Sequence, residues 1–227
     1  MSYPQAPWIL QGDAVQTLHL VNVEQVRSLI PSELDIISVW PGKTVASVYL
    51  SYYGSNSVLE YSELIVVPAV VSYQGKIGGW VSHIYVDHVD SVAGGREIWG
   101  LPKELADFDW EQGKRVTVRQ GNHKLCTLNY TQQSLAWRQW LGASSFSGMG
   151  ADLLIFPAEL ESRLGLISSQ LEVLKESPFS GIGLGQPFLT TRYQELSLKV
   201  GAPEVVEQKK AEVSYGSTAP PTRGWGL

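Results

Sequence analysis

Residues 94–108 set a single lysine, Lys103, directly after Pro102 and among Ile98, Trp99, Leu101, Leu105 and Phe108. An amine packed among such neighbours loses hydration, and desolvation disfavours its charged form. A neutral amine can attack a carbonyl carbon and form a Schiff base. Most lysines beside a turn instead keep the charge in water and lay the stem along apolar surface. The surrounding residues argue for the less common use. Gly94, Gly95 and Gly100 permit backbone shapes closed to other residues, and Pro102 fixes its own φ. Arg96 and Glu97 carry opposite charges that would need each other if buried. They are expected to brace the loop as a structural pair, with Pro102, and not to take part in chemistry.

The elements that must hold this lysine read as strands. Residues 16–21, 45–53 and 62–73 are rich in β-branched and aromatic residues, with a bulge expected at Pro68. Alternation along 80–87 puts His83, Tyr85 and Asp87 on one face and Ile84 and Val86 on the other. Residues 107–111, 115–119 and 124–131, parted by Gln112-Gly113 and Gly121-Asn122, have the pattern of a meander. Runs at 151–156, 165–174, 188–200 and 205–215 add further strands. Two short helices are expected. One is 23–30, with Val23, Val26, Leu29 and Ile30 at helical spacing and Pro31 as its stop; the other is 101–106. The pattern gives a mainly β, predominantly antiparallel domain with a few short helices, α+β by strict count.

The 227 residues contain no dividing linker and fit one domain over 1–227, with 217–227 as a flexible or docked tail. A net charge of -5 gives no case for nucleic acid. The N-terminus lacks the basic and apolar regions of a signal peptide, and the longest apolar run, 64–71, is too short for a membrane span. These features imply a cytoplasmic protein. Cys126, the one cysteine, cannot form an internal disulfide and reads as a small core residue. His19, His83, His88 and His123 show no ligand spacing, so neither a metal nor another cofactor is expected.

Gly95-Arg96-Glu97 followed by Pro102-Lys103 resembles the lysine loop of the acetoacetate decarboxylase superfamily. Tyr61-Ser62-Glu63-Leu64 with Pro68-Ala69 resembles that family's Tyr-x-Glu segment and the proline after it. Residues 78–87, ending Tyr85-Val86-Asp87, resemble the strand leading into the lysine loop, and residues 23–34 resemble its short helix and Val-Pro-x-x-Leu exit. The likeness covers residues 10–110. It implies a twisted, barrel-like sheet around a central conical cavity, and a homo-oligomer. It also implies a Schiff-base lyase, of decarboxylase, aldolase or dehydratase type, acting on an oxo acid through Lys103. Acetoacetate decarboxylase is itself the standard example of a lysine activated in this way.

By the same resemblance Glu63 is the proton-transfer group, since a carboxyl in an apolar cavity can hold and pass a proton. Its spacing alone would fit a solvated strand-end glutamate, the commoner place for an acidic residue. Trp99, Leu101, Phe108, Tyr85 and Val48 are the candidate pocket residues; Tyr85 could orient a substrate or pack in the core, and packing is favoured.

Three positions depart from the decarboxylase pattern. Glu104 stands where those enzymes have a second lysine, and an ionised Glu104 nearby would oppose activation of Lys103. Gln11-Gly12-Asp13 stands near their arginine, and Val48 stands fifteen positions before Glu63, where they carry an acid. The loss of charges suited to a small anion points to a larger or less polar ligand. Residues 18–30, 63–66 and 177–187 also resemble a subgroup of plants and cyanobacteria associated with xanthophyll, specifically neoxanthin, metabolism. The alternative function is therefore an accessory protein that binds an apolar isoprenoid or carotenoid-type ligand.

Overall fold

The computed structural model describes residues 3–111, 113–132 and 135–208. Strand β1 (Trp8–Asn22) leads into a helical turn, α1 (Val23–Val26), which continues as a 3-10 turn to Leu29. Strands β2 (Asp35–Ile36), β3 (Lys43–Tyr53), β4 (Tyr61–Val67), β5 (Val70–Tyr73), β6 (Lys76–Trp80) and β7 (His83–Val86) follow. Helix α2 (Val89–Trp99) then leads to β8 (Lys103–Leu105). Next come β9 (Asp107–Glu111), β10 (Arg115–Gln120), β11 (His123–Tyr130), β12 (Trp137–Met149) and β13 (Asp152–Leu166). The last strands are β14 (Ser169–Val173), β15 (Leu189–Val200) and β16 (Glu204–Glu207).

Twelve strands form one sheet in the order β2-β5-β6-β12-β13-β15-β1-β3-β4-β7-β8, with β16 paired to β13. Strands β9, β10, β11 and β14 form a second sheet. The fold is mainly β with few helices, as the sequence implies. Two parts of that expectation need correction. The large sheet is twisted but open, because β2 and β8 end the order without meeting. It is also mixed, because β6 runs parallel to β12 and β7 parallel to β8. Parallel neighbours need a crossover connection, and α2 is the crossover between β7 and β8.

Side-chain alternation splits the core in two. One cluster joins Val48, Leu64, Val66 and Tyr85 of the large sheet to Val116, Val118, Cys126 and Leu128 of the small one. The other, on the opposite face, gathers Trp8, Leu10, Tyr53, Tyr61, Ile84, Trp99, Phe156 and Leu198. Cys126 is a core residue as expected, its thiol pushed up to about 12 by burial.

The helix expected at 101–106 lies earlier, at Val89–Trp99, and β8 occupies the expected place. Two adjacent glycines mask it, since glycine is a poor helix former. Tertiary packing explains them. A Cβ at Gly94 would lie 2.6 Å from Trp8 Cζ2, and one at Gly95 would lie 2.6 Å from Lys103 Cε. The helix can press this closely on both side chains only without a Cβ at either position. His88 caps its start by accepting from Asp90 N at 3.1 Å, and Gly100 ends it at φ +61°.

Other boundaries shift for local reasons. The run at 62–73 is two strands parted at Pro68-Ala69, and the run at 80–87 is interrupted at Val81-Ser82. Strand β12 goes beyond the sequence reading, because residues 137–143 are exposed on both faces and so show no alternation. Of the strand expected at 205–215, residues beyond 208 lie outside the described residues, as does the tail at 217–227. Among the described residues no helix is long and apolar enough to cross a membrane.

Candidate active site

Lys103 opens β8, and its place there fixes where the amine goes. Lys103 N donates to Leu101 O at 2.8 Å, closing a three-residue turn over Pro102. Neighbouring strand residues point to opposite faces, so Glu104 turns outward while Lys103 turns in. Glu104 is exposed and accepts from Gln120 Nε2 at 2.7 Å. Strand parity thus sends the Glu104 and Lys103 side chains to opposite faces.

Lys103 is 3% exposed. Its stem lies against Gly95. Its ammonium donates to Glu63 Oε1 at 2.8 Å and to Ser91 Oγ at 2.9 Å. It also stands 5.0 Å from the ring centroid of Tyr61 and 5.6 Å from that of Trp8, where aromatic faces attract a cation.

Glu63 lies within β4 and is 4% exposed, so it is not a solvated strand-end residue. Its second oxygen, Oε2, accepts from Tyr53 OH at 3.2 Å. A buried ion pair persists only when both partners have further hydrogen bonds, and both have them here. Burial raises the phenols of Tyr53 and Tyr61 well above their ordinary range, and the charge of Glu63 adds to this. Both phenols therefore keep their protons.

A cavity of about 110 Å³ opens beside the amine. Trp8, Leu10, Tyr61, Ile65, Ile84, Trp99, Leu101, Phe156 and Leu198 line it together with Glu63 and Lys103. The structure thus brings Lys103, Glu63, Trp99 and Leu101 together. Val48, Tyr85 and Phe108 are not among the lining residues; they pack in or against the cluster on the other face. Register explains this. Tyr85 pairs with Leu64 and Val48 pairs with Val66, both of opposite parity to Glu63 on β4. Phe108 belongs to the small sheet. The Tyr85 phenol, pushed up to about 12 by burial, serves the packing role favoured for it.

Arg96 and Glu97 act separately, which corrects the expected pair. Arg96 Nε donates to the Lys103 carbonyl at 2.8 Å, and Glu97 accepts from Tyr3 OH. Arg96 still braces the lysine loop, through the backbone of the lysine itself.

Trp8, Tyr53 and Ser91 complete the site without having been singled out, and Tyr61 and Gly95, named so far only as parts of motifs, join them. Tyr61 had a legible signal, since it stands two residues before Glu63 and alternation puts both on one face. Tyr53 needed the β3–β4 register, and Ser91 needed the helix whose glycines conceal it. Among the described residues no group of three or more His, Cys, Asp or Glu could hold a metal ion.

The chain is similar to known proteins in sequence and in fold. Protein NEOXANTHIN-DEFICIENT 1 of Solanum lycopersicum is 30% identical over 118 residues, 52% of this chain and 38% of that protein. The chain thus matches well under half of that relative's length. The structure of acetoacetate decarboxylase from Legionella pneumophila is similar with a TM-score of 0.74 at 16% identity, covering 91% of this chain and 90% of that one. The enduracididine biosynthesis enzyme MppR, solved with pyruvate, gives 0.65 at 13% identity, covering 91% and 92%. At these identities the two structures speak for the fold alone. The family described as Acetoacetate decarboxylase (ADC) matches residues 1–157, well over half of the sequence, and the chain belongs to that family.

Proposed function

We propose that the protein is a Schiff-base lyase acting on a small oxo acid, with Lys103 as nucleophile and Glu63 as the group that moves protons. The observation that carries this is a buried ammonium 2.8 Å from a buried carboxylate at the wall of an apolar chamber. In this reading Glu63 takes a proton from Lys103, and the freed amine adds to the substrate carbonyl. Glu63 gives that proton to the leaving hydroxyl, and loss of water leaves an iminium. As CO₂ departs, its bonding pair moves toward the iminium nitrogen and leaves an enamine. Glu63, reprotonated from solvent in the meantime, gives the new proton to carbon, and hydrolysis of the iminium releases the ketone and restores the lysine ammonium. Aldolase and dehydratase variants would use the same iminium.

Lys103 is the sole cation among the described residues that line the chamber. A substrate carboxylate there would meet no second cation, and exclusion from water would favour its departure as neutral CO₂. The same reading takes the chain as one domain, without a cofactor, in a homo-oligomer. The alternative, an accessory protein holding an apolar isoprenoid, draws on the apolar lining. Its weakness is size, since about 110 Å³ falls well short of the ~300–1,000 Å³ typical of drug-sized ligands.

The test is to incubate the protein with acetoacetate, pyruvate or acetone, reduce with sodium borohydride, and locate the added mass. The expected result is an adduct on Lys103 with at least one of the three; none with any would overturn the reading. Gly95→Ala extends the test. Its new methyl would displace the lysine stem, and a misplacement of about 1 Å can cost 10²-fold in rate. Adduct formation in Gly95→Ala should slow by about that factor.

A further inference from the structure

Decarboxylation consumes a proton: the carboxylate leaves as CO₂ and the carbon it leaves gains hydrogen. Glu63 is 4% exposed, and with substrate filling the chamber that it lines it needs another route for that proton. Resting on the lyase reading, we infer that Tyr53 and Tyr49 form a proton relay between Glu63 and the outer part of the same sheet face.

The two tyrosines alternate with Ser51 on β3, so all three side chains share one face. Ser51 is the register partner of Glu63 on β4. Its small side chain lets the rings on either side lean together, and their phenol oxygens stand 3.4 Å apart. Tyr53 OH is 3.2 Å from Glu63 Oε2, and Glu63 Oε1 is 2.8 Å from the Lys103 ammonium. Each carboxylate oxygen thus faces a different partner, one toward the reacting amine and one toward the phenols.

Burial falls along this series. Tyr53 is fully buried, whereas Tyr49 is only partly buried against the same cluster. Polar groups continue beyond it on that face: the Tyr193 ring lies 6.4 Å from that of Tyr49, and Tyr193 OH donates to Gln16 Oε1 at 2.7 Å. A simple packing role explains the rings but not the oxygens, because phenylalanine would fill the same space.

In the inward direction Glu63, left a carboxylate once it has protonated the departing hydroxyl, must regain a proton before it can protonate the enamine carbon. Tyr53 then passes its phenolic proton to Oε2 while taking one from Tyr49, and Tyr49 is replenished from solvent. Every phenol ends neutral, as its burial requires. The two phenol contacts are longer than a typical O–H···O bond, and catalytic hydrogen bonds often tighten when substrate is bound.

The test uses acetone in D₂O. Schiff-base formation followed by removal of a methyl proton gives the enamine, and deuterium enters only if the proton held by Glu63 exchanges with solvent. Tyr49→Phe should form the borohydride-reduced acetone adduct to the wild-type extent, and Tyr53→Phe serves as the inner comparison. Both should incorporate deuterium more slowly, by about tenfold or more. Tyr49→Phe is decisive, because it leaves the Tyr53–Glu63 bond intact. Wild-type exchange in that variant would overturn the relay, even where Tyr53→Phe is slow or unfolded. A wild-type protein that forms no acetone adduct and exchanges no deuterium would overturn the lyase reading and the relay together.

Discussion

Lys103→Met will yield no borohydride-trapped adduct with acetoacetate, pyruvate or acetone, and it will also loosen the fold. The second effect separates a buried catalytic pair from a surface lysine that happens to react. Methionine roughly matches the lysine stem but removes the ammonium, leaving the Glu63 carboxylate inside the protein without its counter-charge, held only by neutral phenols such as Tyr53. Breaking a buried pair from one side costs about 3–5 kcal/mol. For a chain of this size that corresponds to a fall in Tm of about 6–20 °C. The double variant Lys103→Met/Glu63→Gln should recover most of the loss, because no unpaired charge is left behind. Calorimetry on the three proteins checks this. A single variant as stable as the wild type would contradict the buried pair, and a persisting adduct would assign the nucleophile elsewhere.

Glu63→Gln is expected to slow turnover of whichever oxo acid is trapped by about 10²–10⁴-fold, the range for removal of a general acid or base. The amide can still accept from Lys103 and hydrogen-bond Tyr53, so the geometry of the site is largely kept. What is lost is the capacity to take and return a proton. Steady-state rates on the trapped substrate measure this directly. Turnover equal to the wild type would remove Glu63 from the mechanism.

The lysine and its glutamate were legible through the order of short motifs that the chain shares with the family. The pocket wall was legible only in part. Trp99 and Leu101 adjoin Lys103 in sequence and also in space. Val48, Tyr85 and Phe108 are near it by numbering or by family position, yet parity or sheet membership sends them to the other cluster. Strand pairing is a long-range property, and the placing of Ser51 opposite Glu63 could not be read from either strand alone. Helix α2 was illegible for a different reason: its glycines contradict helix propensity and make sense only once Trp8 and Lys103 are seen against them. The exposed half of β12 carries no burial pattern at all.

The glycine pair in α2 has an evolutionary corollary. One helical face moulds two side chains from separate strands, the indole of Trp8 and the stem of Lys103. A heritable change at either glycine would disturb the reactive floor of the chamber at once. Other parts of the lining are assembled differently, from Ile65 on β4, Phe156 on β13 and Leu198 on β15. Those positions can vary one at a time while the amine keeps its seat. Descendants of this scaffold can therefore diversify in the lining of the chamber while inheriting the same buried lysine unchanged.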